Sequence, residues 1–250
     1  MPAPRFLALA LVLSWLAWLP ATLIDGGATT TPGRLLLSAG AAGPLLALAV
    51  ALARSRAERA RFVARLRLAP LASRHGLAAP LLPLAFGAAA WTVQTTLTGR
   101  PPAWPAPGEA AALALPLLVA ASIEEPAWRG YALPRLQQSH APLAAGLVVG
   151  AVCAVWQMPR FFVEGTPQAA LGIASADAAL LFVASLVDAV VLTWLVLRTR
   201  CLWSAIAYRG ATDLVGAVLD LPFEAALVRT AFALLFAGAL VARGALRPYA

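Results

Sequence analysis

Ser122 to Leu136 reads SIEEPAWRGYALPRL, and the fold is read outward from this stretch. Two adjacent carboxylates, Glu124 and Glu125, follow a long apolar run, with Arg129 just behind them. The chain has only 11 acidic residues, and these two lie at or near membrane depth. An ionisable group in a bilayer is costly to keep and marks a candidate functional site. Glu125 and Arg129 are i,i+4 on one helical face and can satisfy each other as a structural pair. Glu124 points about 100° away on a helix of about 3.6 residues per turn, so that pairing leaves it free to face a polar cavity. Pro126 has no N–H, and its ring meets the carbonyl of Ser122. A kink or interruption is therefore expected here, with Glu125 pushed away from helical geometry.

The flanking composition makes this a membrane helix. The 250 residues are 61% hydrophobic and 12% charged, with a mean hydropathy of +0.80. Soluble domains carry about 25% charge. The fold class is all-α: a polytopic membrane protein with about eight transmembrane helices, forming a single integral membrane domain over 1–250. Eight apolar segments are long enough to span about 30 Å of hydrocarbon. They run roughly 6–24, 35–53, 77–98, 109–138, 141–163, 178–197, 202–221 and 225–242. The first has no clear A-x-A cleavage site and reads as a retained helix.

The net charge is +8, and all 19 basic residues are arginine. They cluster beside apolar segments, which points to topology control and anionic lipid rather than nucleic acid. Seven of them (Arg54, Arg56, Arg59, Arg61, Arg65, Arg67 and Arg74) crowd the Arg54–His75 loop. The positive-inside rule places that loop in the cytoplasm, and alternation then puts both termini there. Arg34, Arg100 and Arg160 fall on the outer side.

Several features read as structural. Arg100 to Gly108, RPPAWPAPG, is an extended linker. Gly146 and Gly150 form a GxxxG that lets helices approach closely. Cys153 and Cys201 form no redox or zinc motif and read as buried packing residues. Trp104 and Trp128 suit interfacial anchoring or packing. Arg160 and Glu164, i,i+4 near the outer face, are expected to pair at the surface. His75 and His140 lie away from motif depth and are expected to be exposed.

If the fourth and fifth segments form an antiparallel hairpin around His140, Glu124 and Gln157 each lie about 24 Å from the turn, at about 1.5 Å per residue. Arg209 is about 10 Å into the seventh segment, with Asp213 one turn further on the same face. Glu124, Gln157, Arg209 and Asp213 can then converge on one polar site.

These residues resemble a known family. EEPAWRGYALPRL is similar to the EExxxR signature of the CPBP intramembrane proteases, the type II CAAX-prenyl-protease and bacteriocin-processing group also called Abi. VWQMPRFFVEG resembles the family's second motif, a Trp-His-Leu-Pro-like run followed by aromatics. TRCLWSAIAYRGATD resembles the third, in which a His precedes an Asn by four residues. The resemblance covers a core of roughly 110–215. It implies an intramembrane endopeptidase in which the first glutamate, here Glu124, activates water to hydrolyse a peptide bond. Glu125, Arg129, Gln157, Arg209 and Asp213 take the remaining motif places. The implied substrate is a prenylated or membrane-embedded peptide, and the implied setting is a plasma membrane of bacterial type.

The departures bear on the chemistry. Gln157 and Arg209 stand where the motifs have His, and Asp213 where the third has Asn. Gln cannot shuttle a proton near neutral pH and is a poor transition-metal ligand. Arg is always charged and has no lone pair to give. A divalent metal enters only through the resemblance, and the replaced histidines disfavour it. Catalysis is therefore expected to be weakened or lost, and the chain to need His at 157 and 209 together to regain it. The alternative is an inactive relative acting as a membrane binding, adaptor or bacteriocin-immunity protein.

Overall fold

The computed structural model describes residues 1–99, 107–219 and 221–247. The expected linker from Arg100, with Trp104, lies almost wholly outside them. A bilayer offers the backbone no hydrogen bonds, so spanning segments satisfy their own as helices. The helices are α1 (Ala3–Ala21), α2 (Thr31–Ala41), α3 (Gly43–Ala53), α4 (Arg56–Val63), α5 (Arg74–Thr98), α6 (Pro107–Ala127), α7 (Leu133–Leu136), α8 (Pro142–Trp156), α9 (Pro167–Leu171), α10 (Ala176–Thr199), α11 (Leu202–Leu219) and α12 (Phe223–Ala242). Among the described residues, seven helical stretches are long and apolar enough to cross a membrane. The protein is an all-helical, polytopic membrane protein. The expected segment over 202–221 is α11, which is not among the seven. It packs between α5 and α6, and the charges of Arg209 and Asp213 fall within its 18 residues.

Among the described residues two apolar cores form. One gathers α1, α3, α8 and the turn after α6 around Phe6, Trp18, Trp128 and Trp156. The other gathers α5, α10, α11 and α12 around Leu192, Leu195 and Tyr208. The first core also carries directional contacts. Trp156 Nε1 donates to Ser14 Oγ at 2.6 Å, and Trp15 Nε1 donates to the Trp156 carbonyl at 3.1 Å.

Four expectations change. Helix α6 runs unbroken through Pro126 to Ala127, and the widening appears two residues later as a π-helical turn over Trp128–Ala132. Neighbouring helices hold the backbone in place where an isolated helix would break. The fourth and fifth segments do not pack along their length. Helix α6 lies on α11 and α3, α8 lies on α10, and the two segments meet near Trp128 and Trp156, 5.8 Å apart. His75 is half-buried, edge-on to Trp194 at 5.5 Å, whereas His140 is exposed. Among the described residues, Arg160 and Glu164 form no pair with each other. Their segment leaves α8 as a 3-10 turn over Met158–Phe162, with Val163 extended, so helical i,i+4 spacing does not apply. Glu164 Oε2 instead accepts from Gly26 N at 2.9 Å, and Arg160 lies over the Trp18 ring at 5.7 Å.

Gly146 and Gly150 bring α8 against α10. A Cβ on Gly146 would strike Thr193 Oγ1, and one on Gly150 would lie 2.7 Å from the Ala189 Cβ. Close approach is what holds such helices together where no aqueous drive exists. Gly150→Val is expected to cost about 1–3 kcal/mol by overpacking. Gly238→Val, with nothing within 4 Å, serves as its control. Thermal unfolding in detergent checks this, and equal midpoints for the two variants would refute it.

The arginine-rich loop is clamped to the end of the fourth segment. Glu58 pairs with Arg135, and the Tyr131 hydroxyl donates to Glu58 Oε2 at 3.1 Å. Burial pushes the Glu58 carboxyl up, but the hydrogen bonds of Arg135 and Tyr131 and the Arg135 charge outweigh it and hold it below its ordinary value of 4.5. A depressed folded value means the stabilisation is fully present above the unfolded value and is lost as pH falls through the folded one. Glu58→Gln should thus lower the melting temperature at neutral pH by the equivalent of about 1 kcal/mol or less. The difference from wild type should shrink steadily as pH falls below the ordinary carboxylate range. A difference of constant size across the acid range would exclude the charge as its origin.

Candidate functional site

The EExxxR stretch builds one wall. Glu125 is 1% exposed, and its Oε1 accepts from Arg129 Nη1 at 3.1 Å within α6 and the π turn. Its Oε2 is buried without a hydrogen-bond partner, as is Trp128 Nε1. Arg129 Nη1 also lies 3.9 Å from Cys153 Sγ on half-buried Cys153, while Cys201 is buried. Trp128 is fully buried, so it packs rather than anchors at an interface.

Glu124 points elsewhere, as its helical offset requires, and is half-buried. Among the described residues it makes no hydrogen bond. The charges that act on it come first from Arg209, then from Asp213, Glu125 and Arg160. Helix α11 supplies the first two because it lies directly on α6, with Gly210 against Leu118. Arg209 Nε donates to Asp213 Oδ2 at 3.0 Å, with side chains 24% and 29% exposed. The pair thus stays partly accessible beside Glu124.

Gln157 ends α8 and is buried. Its Oε1 accepts from Gln168 Nε2 of α9 at 3.2 Å, and no hydrogen bond joins it to Glu124, Arg209 or Asp213 among the described residues. The fifth segment reaches the site with a charge instead, that of Arg160. Two further groups escaped sequence reasoning. Asp188, midway along α10, accepts from the Tyr208 hydroxyl at 2.7 Å, and its charge reaches Glu125, Arg209 and Asp213. Arg229 of α12 acts on Asp213. A lone carboxylate inside an otherwise apolar segment was the available signal for Asp188.

Two ion pairs, Glu125–Arg129 and Arg209–Asp213, thus sit in a formally charge-balanced cluster in which Glu124, Asp188, Arg160 and Arg229 act at longer range. Such groups persist at membrane depth when they satisfy one another. A divalent metal does not fit this donor set. Arg209 is a cation without a lone pair, Gln157 is bound to Gln168, and among the described residues no three His, Cys, Asp or Glu side chains are placed to hold an ion.

Residues 106–215, which contain all six motif positions, match the family described as "Type II CAAX prenyl endopeptidase Rce1-like". A curated relative, CAAX prenyl protease 2 of Methanococcus maripaludis, is 28% identical over 127 residues. That match covers 50% of this chain and 47% of the relative, so the chain spans about half the length of the curated relative it matches.

Proposed function

We propose that this integral membrane protein, whose residues 106–215 match the type II CAAX prenyl endopeptidase family, is an endopeptidase scaffold in which hydrolysis by Glu124-activated water is weakened or lost. One observation carries this reading. The Arg209–Asp213 ion pair occupies the third-motif positions and lies within the electrostatic reach of Glu124. A permanent guanidinium there cannot exchange a proton with a leaving amine, and Gln157 cannot replace it. Losing one positioned acid–base group costs about 10²–10⁴-fold in rate. Glu124 remains the candidate base, Glu125–Arg129 the structural pair beneath it, and Gln157, Arg209 and Asp213 the altered supporting residues. The arginine asymmetry supports an orientation with both termini in the cytoplasm.

The balanced network also favours a second reading, a membrane binding or adaptor role that holds a prenylated or embedded peptide without cutting it. Both readings meet in a single-turnover assay on farnesylated CAAX peptides in liposomes. Wild type should cleave no faster than Glu124→Ala, within about tenfold. A wild-type rate about 100-fold above Glu124→Ala would overturn the proposal and make this an active protease.

A further inference from the structure

A second polar site lies on the arginine-rich face, away from Glu124. It is a cavity of about 630 Å³ between the Arg54–His75 loop, α7 and the end of α10. Arg61, Arg65, Arg67 and Arg200 line it, and no carboxylate does. Gln137 also lines it, and its Nε2 is a buried donor without a hydrogen-bond partner. Four guanidinium groups and the unpartnered Gln137 Nε2 are all donors, so the group that would satisfy them is an acceptor bearing negative charge.

Two features show that this basic cluster is built rather than incidental. Arg200 caps α10 at φ 51°, a left-handed conformation where a helix ordinarily takes glycine, yet it keeps a charged side chain in the cavity wall. The loop is also pinned in place. Arg65 Nη1 donates to the Gly130 carbonyl, while Trp203 Nε1 and Cys201 Sγ donate to the carbonyls of Leu66 and Arg67 at 2.9 and 3.0 Å. Burial, and then the like charges of Arg61 and Arg135, push the Arg65 guanidinium down from its ordinary value, as an uncompensated cluster would. Glu58 does not relieve it, since its carboxylate is engaged by Arg135 and Tyr131.

We propose that this cavity binds a phosphate group, with Arg61, Arg65, Arg67, Arg200 and the Gln137 amide as its donors. Val196 and Leu197 complete the wall where α10 leaves the apolar zone, which suits a phosphate carried by an anionic phospholipid. The site is separate from the peptidase question, since none of its residues belongs to the network around Glu124.

The test uses the full chain in neutral detergent, titrated with phosphatidylglycerol, with phosphatidylcholine and with inorganic phosphate. Bound ligand is read by native mass spectrometry and the melting temperature is read in parallel. Arg67→Gln combined with Arg200→Gly removes two charges, and glycine at 200 relieves the backbone, so the variant is expected to fold; its ligand-free melting temperature checks this. Phosphatidylglycerol should bind this variant about 25-fold more weakly than wild type, at about fivefold per arginine. Arg54→Gln combined with Arg74→Gln, outside the cavity, should stay within about twofold of wild type. Stabilisation by inorganic phosphate alone, lost in the Arg67/Arg200 variant, would keep the site and assign it a soluble phosphate. Equal loss in both variants would show a diffuse surface field and overturn the site. Unchanged binding in the Arg67/Arg200 variant, or binding of phosphatidylcholine as tight as phosphatidylglycerol, would overturn it too.

Discussion

Arg129→Ala is expected to cost the protein about 3–5 kcal/mol of stability. Glu125 is almost fully buried, and Arg129 is its ion-pair partner at 3.1 Å. Among the described residues its second oxygen makes no hydrogen bond, so the Arg129 contact is the direct polar contact it has to lose. Truncating the arginine leaves a carboxylate that must either stay charged in a low-dielectric interior or take up a proton, and both are costly. Glu125→Ala strands the guanidinium instead, with a loss of similar size. Replacing both residues with methionine removes the two charges together and fills much of the same space. That double variant should lie within about 1–2 kcal/mol of wild type, because exchanging a buried pair for apolar groups is often close to neutral. Unfolding in detergent and the monodisperse fraction on size exclusion report the outcome. An Arg129→Ala protein as stable as wild type would show that water reaches Glu125 and that the pair is not structural.

The parts of this molecule legible in its sequence are those fixed by the solvent or by spacing on a regular helix. Seven of the eight expected apolar stretches are helices long and apolar enough to cross, because a bilayer demands about 20 apolar residues per crossing. The expected apolar segment over 202–221 is helix α11, and within it Arg209 and Asp213, one turn apart on the same face, form an ion pair. Where the helix stops being regular, spacing misleads. Arg160 and Glu164 looked like partners only while the chain between them was taken as helical, and the 3-10 turn sends one to the network and the other to Gly26. Pro126 marked a disturbance, but its form, a π turn at Trp128–Ala132, depends on neighbours that no local rule contains. Counting from the turn gave Gln157 a depth but not a direction, because its partner, Gln168, lies in a short helix outside the spans.

Restoring the family's side chains should raise activity most when three changes are made together: Gln157→His, Arg209→His and Asp213→Asn. The structure adds the third to the first two. Arg209→His alone strips Asp213 of its 3.0 Å partner and leaves a second carboxylate beside Glu124 with one cation fewer. Adding Asp213→Asn removes one positive and one negative charge at once, so the remaining network stays balanced. Histidine at 157 replaces one neutral side chain with another, and Gln168 Nε2 can still donate to a ring nitrogen. Because such groups act as a unit, the single variants should gain little, and the triple variant should exceed wild type by about 100-fold or more in single-turnover cleavage of a farnesylated peptide. The gain must vanish when Glu124→Ala is added, which separates hydrolysis at this site from a contaminating peptidase. A triple variant that folds, melts near wild type and remains silent would show that these three side chains do not account for the silence. The occupant to seek would then be a bound partner rather than a cleaved substrate.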